Sequence, residues 1–318
     1  MKVLLTGYTG LLGRHIARQL KNNGYWIRVL LHAKAITKKV LEREVDDHIF
    51  GAMDDPNVIK EALKNIDFVI HSGWKFNPNN VEHPTINENA IRHLLNESQK
   101  CGVKKFVFLS SIAVYGMKKN KVMFDEKSNL ASGGELRFTY PKEKITIENI
   151  LSDNNNSSML VSIFRPGPIF DEENGPATKE IQFMGKTFGL GFGNGRNLMP
   201  NIHADDVANA IILWIQNGNS NEIFNLVPDN DIRYKDWLKL YGKVKGIKIT
   251  PVFIRSYVLR ILAVMLTLLK KALGKSGKVD VSYVIASATR NLRYSNAKAK
   301  QILGWECSST QKYISKKS

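Results

Sequence analysis

Short apolar runs alternate with amphipathic stretches through the first half of the chain. Val3–Leu5, Trp26–Leu31, Asp67–Ile70, Lys105–Leu109 and Met159–Phe164 read as strands, with a shorter one at His48–Phe50. Leu11–Asn22, Asn57–Lys64, Glu88–Lys100 and Pro141–Leu151 carry helical spacing between them. Gly24 and Gly102 stand where helix C-termini favour glycine. Strands separated by helices predict βαβ crossovers, hence a doubly wound α/β (Rossmann) fold on a parallel sheet. Asp153–Ser158 reads as a polar turn rather than a linker.

After Phe164 the pattern changes. Arg165-Pro166-Gly167-Pro168 interrupts it, glycines cluster at 185–195, and Asp205–Gln216 and Trp237–Val244 are amphipathic helices. The expected organisation is a dinucleotide-binding unit at 1–165, completed by return strands and helices from about 200–228. Residues 166–318 mainly form a smaller C-terminal substrate-binding lobe. Such a lobe would cover the C-terminal edge of the sheet, where open α/β sheets bind ligands.

Composition narrows the class. The 318 residues are 43% apolar, enough for a full core. Cys101 and Cys307 give neither a disulfide framework nor metal-ligand spacing, so no metal is expected and a reducing cytoplasm suits the chain. The phosphate-binding turn begins at Thr6, so no signal peptide is expected before the first strand. The 46 basic and 29 acidic residues give a net charge of +17. A Lys-rich solvated surface, an anionic ligand and an anionic membrane surface all fit that charge. The lysines are scattered without a nucleic-acid module, so no nucleic-acid partner is expected.

The chemistry begins at Thr6-Gly7-Tyr8-Thr9-Gly10-Leu11-Leu12-Gly13, a T-G-x-x-G-x-x-G turn between a strand and a helix. Gly7 permits the turn, Gly10 keeps side chains away from a pyrophosphate, and Gly13 lets the helix pack on the sheet. Free N–H groups at the helix start then face the anion. Downstream, Tyr140 and Lys144 are four residues apart on one predicted helix, so they share a face. A nearby ammonium lowers a phenol pKa that starts near 10 (~10), which suits general acid/base work. Tyr115/Lys119, Tyr241/Lys245, Tyr294/Lys298 and Tyr313/Lys317 share the spacing. Only Tyr140 opens a helix after the fifth strand and its loop. Ser110 and Ser111 end that strand, where a hydroxyl can hold a substrate oxygen.

These residues resemble the extended short-chain dehydrogenase/reductase family, also termed the NAD-dependent epimerase/dehydratase family. Thr6–Gly13 looks like its cofactor turn, and Gly51-Ala52-Met53 like its adenine-side segment with Ala52 in place of the usual acid. Val69–Gly73, the stretch opening at Asn87, Ser110–Gly116, Asn201–Ala208, Tyr294–Ala299 and Leu303-Gly304-Trp305 are similar to further family segments. The resemblance implies Ser111, Tyr140 and Lys144 as catalytic residues. It implies cofactor contacts from Gly7, Thr9, Gly10, Leu11, Leu12, Gly13, His32, Met53, Ser72, Gly73, Ser110, Tyr140 and Lys144. Lys144 would hold the nicotinamide ribose. Relatives commonly form homodimers through helices of the dinucleotide half.

Val29–Lys34 ends the second strand without a carboxylate, and Arg14 follows the last glycine. NADP is therefore expected ahead of NAD. The Arg-Pro opening at Arg165 resembles the hydroxysteroid dehydrogenase and carbonyl reductase branch, since the asparagine of many sugar-nucleotide members is missing. The expected reaction is hydride transfer between nicotinamide and a secondary alcohol or ketone of a small hydrophobic substrate. A nucleotide-sugar epimerase, dehydratase or reductase is the alternative, with Arg196 as a diphosphate contact, and a non-catalytic NADP-binding regulator a second. Ile254, Tyr257, Val258, Ile261, Leu262, Met265, Leu268 and Leu269 form an apolar helical stripe flanked by Arg255, Arg260, Lys270 and Lys271. Packing on the lobe, a lid over the substrate, and peripheral contact of 254–272 with the inner membrane surface all fit it.

Overall fold

A computed structural model describes residues 1–32, 44–75, 85–117, 123–133, 139–153, 158–173, 182–184, 188–229, 232–244, 246–273, 285 and 291–308. Ala33, Lys34, 154–157 and 309–318 lie outside them. Seven parallel strands build the main sheet: β1 (Lys2–Thr6), β2 (Trp26–Leu31), β3 (Asp47–Phe50), β4 (Phe68–His71), β5 (Lys105–Leu109), β6 (Leu160–Pro166) and β7 (Glu222–Leu226). Their order is β7-β6-β5-β4-β1-β2-β3, so the direction of winding reverses between β1 and β4.

Alternate strand residues enter two separate cores, because successive side chains leave opposite faces of a strand. Val3 and Leu5 pack with Ile16 and Leu20 of α1 (Leu11–Asn22) and with Ile211 and Trp214 of a later helix. Leu4 and Val69 pack with α2 (Pro56–Ala62), α3 (Ile86–Lys100) and α4 (Thr139–Ser152) through Ile59, Ile91, Leu94 and Ile147. Both faces are covered, which is why the strands read as continuous apolar runs. Asp55 starts α2 by accepting from the backbone N–H of Asn57 at 2.9 Å. Thr85 and Glu88 form a reciprocal capping box at the start of α3.

The second half is distributed between two places. α5 (Ala204–Asn217) and β7 return to the main sheet, as does α8 (Ala297–Leu303), whose Ala299 and Leu303 enter the first core with Trp305. Within the described remainder stands a separate three-stranded sheet. There Phe188–Phe192 pairs in parallel with Thr250–Ile254 and antiparallel with Gln182–Met184. The glycine cluster thus contains a strand. An added Cβ at Gly191 would stand 2.7 Å from the Phe253 ring, so the bare backbone makes room for packing. Helix α6 (Tyr234–Val244) covers this sheet through Tyr234 and Leu238, and α7 (Ser256–Ala272) follows. Of α7 only Leu259 and Ala263 are buried, and most of its apolar stripe is exposed. No helix among the described residues is long and apolar enough to cross a membrane.

Candidate active site

The β1–α1 turn is built so that each glycine answers a different demand. Gly7 has φ +78°, and a Cβ there would lie 2.5 Å from the Gly73 nitrogen. A Cβ on Gly13 would lie 2.1 Å from the Gly7 carbonyl oxygen. Gly10 is extended at φ −76°, ψ 166°, and its nearest obstacle is 3.3 Å away. The fold itself therefore requires Gly7 and Gly13 far more than Gly10. What Gly10 provides is an open mouth over α1, whose N-terminus has no side-chain cap. Uncapped N–H groups and the positive end of the helix dipole fit the pyrophosphate of a dinucleotide. Thr9 and Gly10 are exposed there, Leu11 and Leu12 half-buried. The Tyr8 hydroxyl donates to Glu44 Oε2 at 2.5 Å, and burial pushes its pKa up.

Next to this turn the ends of β1 and β4 are laced together. Ser72 Oγ donates to the Thr6 carbonyl at 2.8 Å, Gly73 N to Thr6 Oγ1 at 3.4 Å, and His71 Nδ1 lies 2.7 Å from Thr6 Oγ1. Burial, with the Lys144 charge adding to it, pulls His71 down to about 3, so the imidazole is neutral. This lacing sits at the reversal of strand order, where doubly wound sheets bind dinucleotides. Farther along the edge, His32 is exposed after β2 and Met53 is half-buried after β3.

On the other side of β4, Ser111, Tyr140 and Lys144 come together. Ser111 starts the 3-10 turn Ile112–Tyr115, its Oγ accepting from Ala113 N at 3.1 Å. The same residue acts on the Tyr140 phenol, drawing its pKa down. One helical turn later, Lys144 is buried, and its Nζ donates to the Leu109 carbonyl at 2.6 Å. That Nζ stands 3.7 Å from the Trp74 ring centroid and 4.6 Å from that of Phe108. Burial lowers its pKa to about 7, with Glu148 and Glu143 resisting. Trp74 also meets Tyr140 edge-on, at 5.4 Å between centroids.

The expectation of a lowered Tyr140 pKa needs correction here. Burial raises it, and Ser111 draws it partly back. The physical reason is the placement of Lys144: its Nζ is bonded to Leu109 and lies 5.7 Å from the Tyr140 ring centroid.

Ser110 faces away from this group. Its hydroxyl donates to Glu148, which also holds Arg165 through Nε at 3.1 and 3.2 Å and through Nη2 at 2.5 Å. Arg165 Nη1 donates to the Tyr115 hydroxyl at 2.8 Å, which donates to Asn225 at 2.7 Å. The hydroxyl expected to touch the cofactor is thus engaged in a buried network. Tyr115 belongs to that network, and Tyr294 stacks on Phe124 at 5.5 Å. Lys119, Lys245, Tyr313 and Lys317 lie outside the described residues.

Sequence reasoning missed Glu148 and Trp74, and marked Asn87 only as the start of a family-like segment. The signal for Glu148 was present: it follows Lys144 by four positions, and an arginine inside an apolar strand demands a buried acid. Asn87 fixes Lys75 by exchanging hydrogen bonds with its N–H and C=O, both at 3.0 Å, which anchors the segment carrying Trp74. Arg196 is exposed on its loop. No group of side chains able to hold a metal occurs among the described residues.

Residues 3–226 match the model of the NAD dependent epimerase/dehydratase family. The chain belongs to this family. Like its fellow members it is an enzyme of the extended short-chain dehydrogenase/reductase type, in a family of NAD-dependent oxidoreductases and epimerases. It is 25% identical over 253 residues to the sterol-4-alpha-carboxylate 3-dehydrogenase, decarboxylating, of Dictyostelium discoideum, covering 77% of this chain and 76% of that protein. It is 27% identical over 292 residues to the UDP-glucose 4-epimerase of Bacillus subtilis, covering 77% and 83%. The solved UDP-glucose 4-epimerase of Thermotoga maritima, with UDP-glucose, has the same fold: TM-score 0.73 at 20% identity, covering 98% of this chain and 96% of that one.

Within the family fold, the open turn and the Ser111–Tyr140–Lys144 group lie along one edge of the sheet. A dinucleotide bound at the β1–β4 reversal would be held at its phosphates by the N–H groups of the turn. A bound nicotinamide supplies or accepts a hydride.

Proposed function

We propose that this enzyme moves a hydride between a nicotinamide cofactor and the carbon of a secondary alcohol or ketone. The carrying observation is the gathering of three side chains after β5: Tyr140 opens α4 against Trp74, Lys144 is buried one turn beyond with Nζ on the Leu109 carbonyl, and Ser111 begins the turn that follows the strand. In the reduction, hydride adds to the carbonyl carbon and the Tyr140 hydroxyl gives its proton to the oxygen. Ser111 holds that oxygen. Lys144, one turn along the same helix face, holds the cofactor beside Tyr140, and solvent then restores the proton of Tyr140. Tyr140→Phe is expected to lower turnover by about 10²–10⁴-fold while cofactor binding survives. Full activity in that variant, followed by cofactor absorbance, overturns the assignment.

The substrate we infer is small and largely apolar. Arg165, which stands near the site in sequence, is engaged by Glu148 and offers no charge to a diphosphate. The walls beside Tyr140 and Lys144 include Trp74 and Phe108. The cofactor we infer is NADP rather than NAD. β2 ends at exposed His32 without a carboxylate, and Arg14 is exposed in the first turn of α1, an arrangement suited to a 2′-phosphate. Fluorescence titration should give a lower Kd for NADPH than for NADH, and the reverse order rejects the preference.

A further inference from the structure

The outward face of α7 is an exposed apolar surface that the catalytic reading leaves unused. Among its residues Tyr257 is 63% exposed, Met265 60% and Leu268 61%, with Ile261, Val264 and Leu269 similarly open. Only one narrow stripe, Leu259 and Ala263, is buried. At about 100° per residue, Ile261, Met265 and Leu268 point directly away from that stripe. Arg260 and Lys271 lie between the two faces, where long side chains reach sideways from an apolar surface. No described residue covers the outward face.

Charge says what does. Between Asp236 and Asp280 the sequence has no acidic residue and ten lysines and arginines. A second copy docking through α7 would bring Arg255, Arg260, Lys270 and Lys271 of both copies to one interface, so like charges oppose self-association. An anionic surface with an apolar interior satisfies both halves of the pattern. The helix has 17 residues with Arg260 in its second turn and Lys270 and Lys271 in its last, which suits lying on a bilayer and not crossing it.

We propose that α7 docks in the interfacial plane of an anionic lipid bilayer, its apolar face among the acyl chains and its basic flanks at the headgroups. This goes beyond the hydride chemistry and is independent of it. The test is flotation of the full chain with vesicles of phosphatidylcholine and phosphatidylglycerol, or of phosphatidylcholine alone. The protein should float with the mixed vesicles, and at least about tenfold less with the neutral ones, because each basic residue near the surface adds to attraction. Met265→Glu with Leu268→Glu should abolish flotation. Arg260→Gln with Lys271→Gln, which alters only exposed side chains, should weaken it about tenfold and supplies a second reading should the first variant fail to fold. NADPH binding reports that each variant is folded, and Tyr140→Phe should float as the unmodified protein does. Failure of the unmodified protein to float with anionic vesicles overturns the proposal. So does a dimer, seen by sedimentation velocity in the absence of flotation, that Met265→Glu with Leu268→Glu splits.

Discussion

Lys144 is where burial and chemistry meet most directly. Its ammonium leaves water for a site lined by Trp74, Phe108 and one carbonyl, and its pKa falls to about 7. Between pH 7 and the unfolded value of 10.5 the unfolded chain holds a proton that the native chain does not. Stability contributed by this residue therefore rises with pH through that window, with a slope of up to about 1.4 kcal/mol per pH unit. Lys144→Met should remove that slope from chemical denaturation measured across pH 7–10 (about that range). An unchanged slope would show that Lys144 titrates normally. Glu148 carries the opposite obligation. Glu148 and Arg165 are both buried, so Glu148→Leu leaves the guanidinium unpaired. A loss of about 3–5 kcal/mol in denaturant midpoint measurements is expected. Sequence spacing made Lys144 legible, because its function-bearing partner Tyr140 lies four residues before it. Glu148 was readable only in combination with Arg165, which stands on a strand 17 residues later.

At the scale of elements, the β1–α1 turn separates what folding needs from what binding needs. Gly13→Ala drives a Cβ to 2.1 Å from the Gly7 oxygen, a backbone atom that has nowhere to go. Helix α1 must shift on the sheet, at a cost of about 1–3 kcal/mol. Gly10→Ala meets its first atom at 3.3 Å in an extended conformation open to any residue. Its melting temperature should stay within a few degrees of the parent, yet cofactor Kd should rise about tenfold or more, since the methyl group enters the mouth of the helix. Thermal melts and titrations on the two variants separate the roles. Equal losses of stability would show that Gly10 is also a packing glycine. The same turn explains why this region was legible from sequence while the lobe was not. Three glycines at fixed spacing express local geometry. Phe188–Phe192, by contrast, is a strand because Thr250–Ile254, some sixty residues later, lies beside it. No local pattern contains that partner. The α7 stripe shows the complementary failure: helical periodicity located an apolar face correctly but could not say whether protein covers it.

For the whole molecule, alternation of strands and helices foretold the parallel sheet because each βαβ unit is local, whereas β7 and α8 join it only through long-range contacts. The reversal of strand order between β1 and β4 then concentrates function on one line, and it also concentrates acid sensitivity there. His71 joins those strands through Thr6 and resists protonation down to about 3. From pH 6.5 downward the unfolded imidazole binds a proton that the native one refuses, so stability falls on acidification. Asp67, Asp205 and Asp229, all held below their ordinary value, add losses of the same sign at lower pH. His15 acts the other way: raised beside Asp205, it favours the folded state below its unfolded pKa, and that contribution disappears as pH rises through the folded value. The two histidines therefore oppose one another. His71→Asn should flatten the fall in denaturant midpoint between pH 6 and pH 4 (about that window), leaving the protective trend of His15 more visible. Should His71→Asn retain the parent's full acid dependence, the imidazole at the centre of the sheet would not be the group through which acid loosens the molecule.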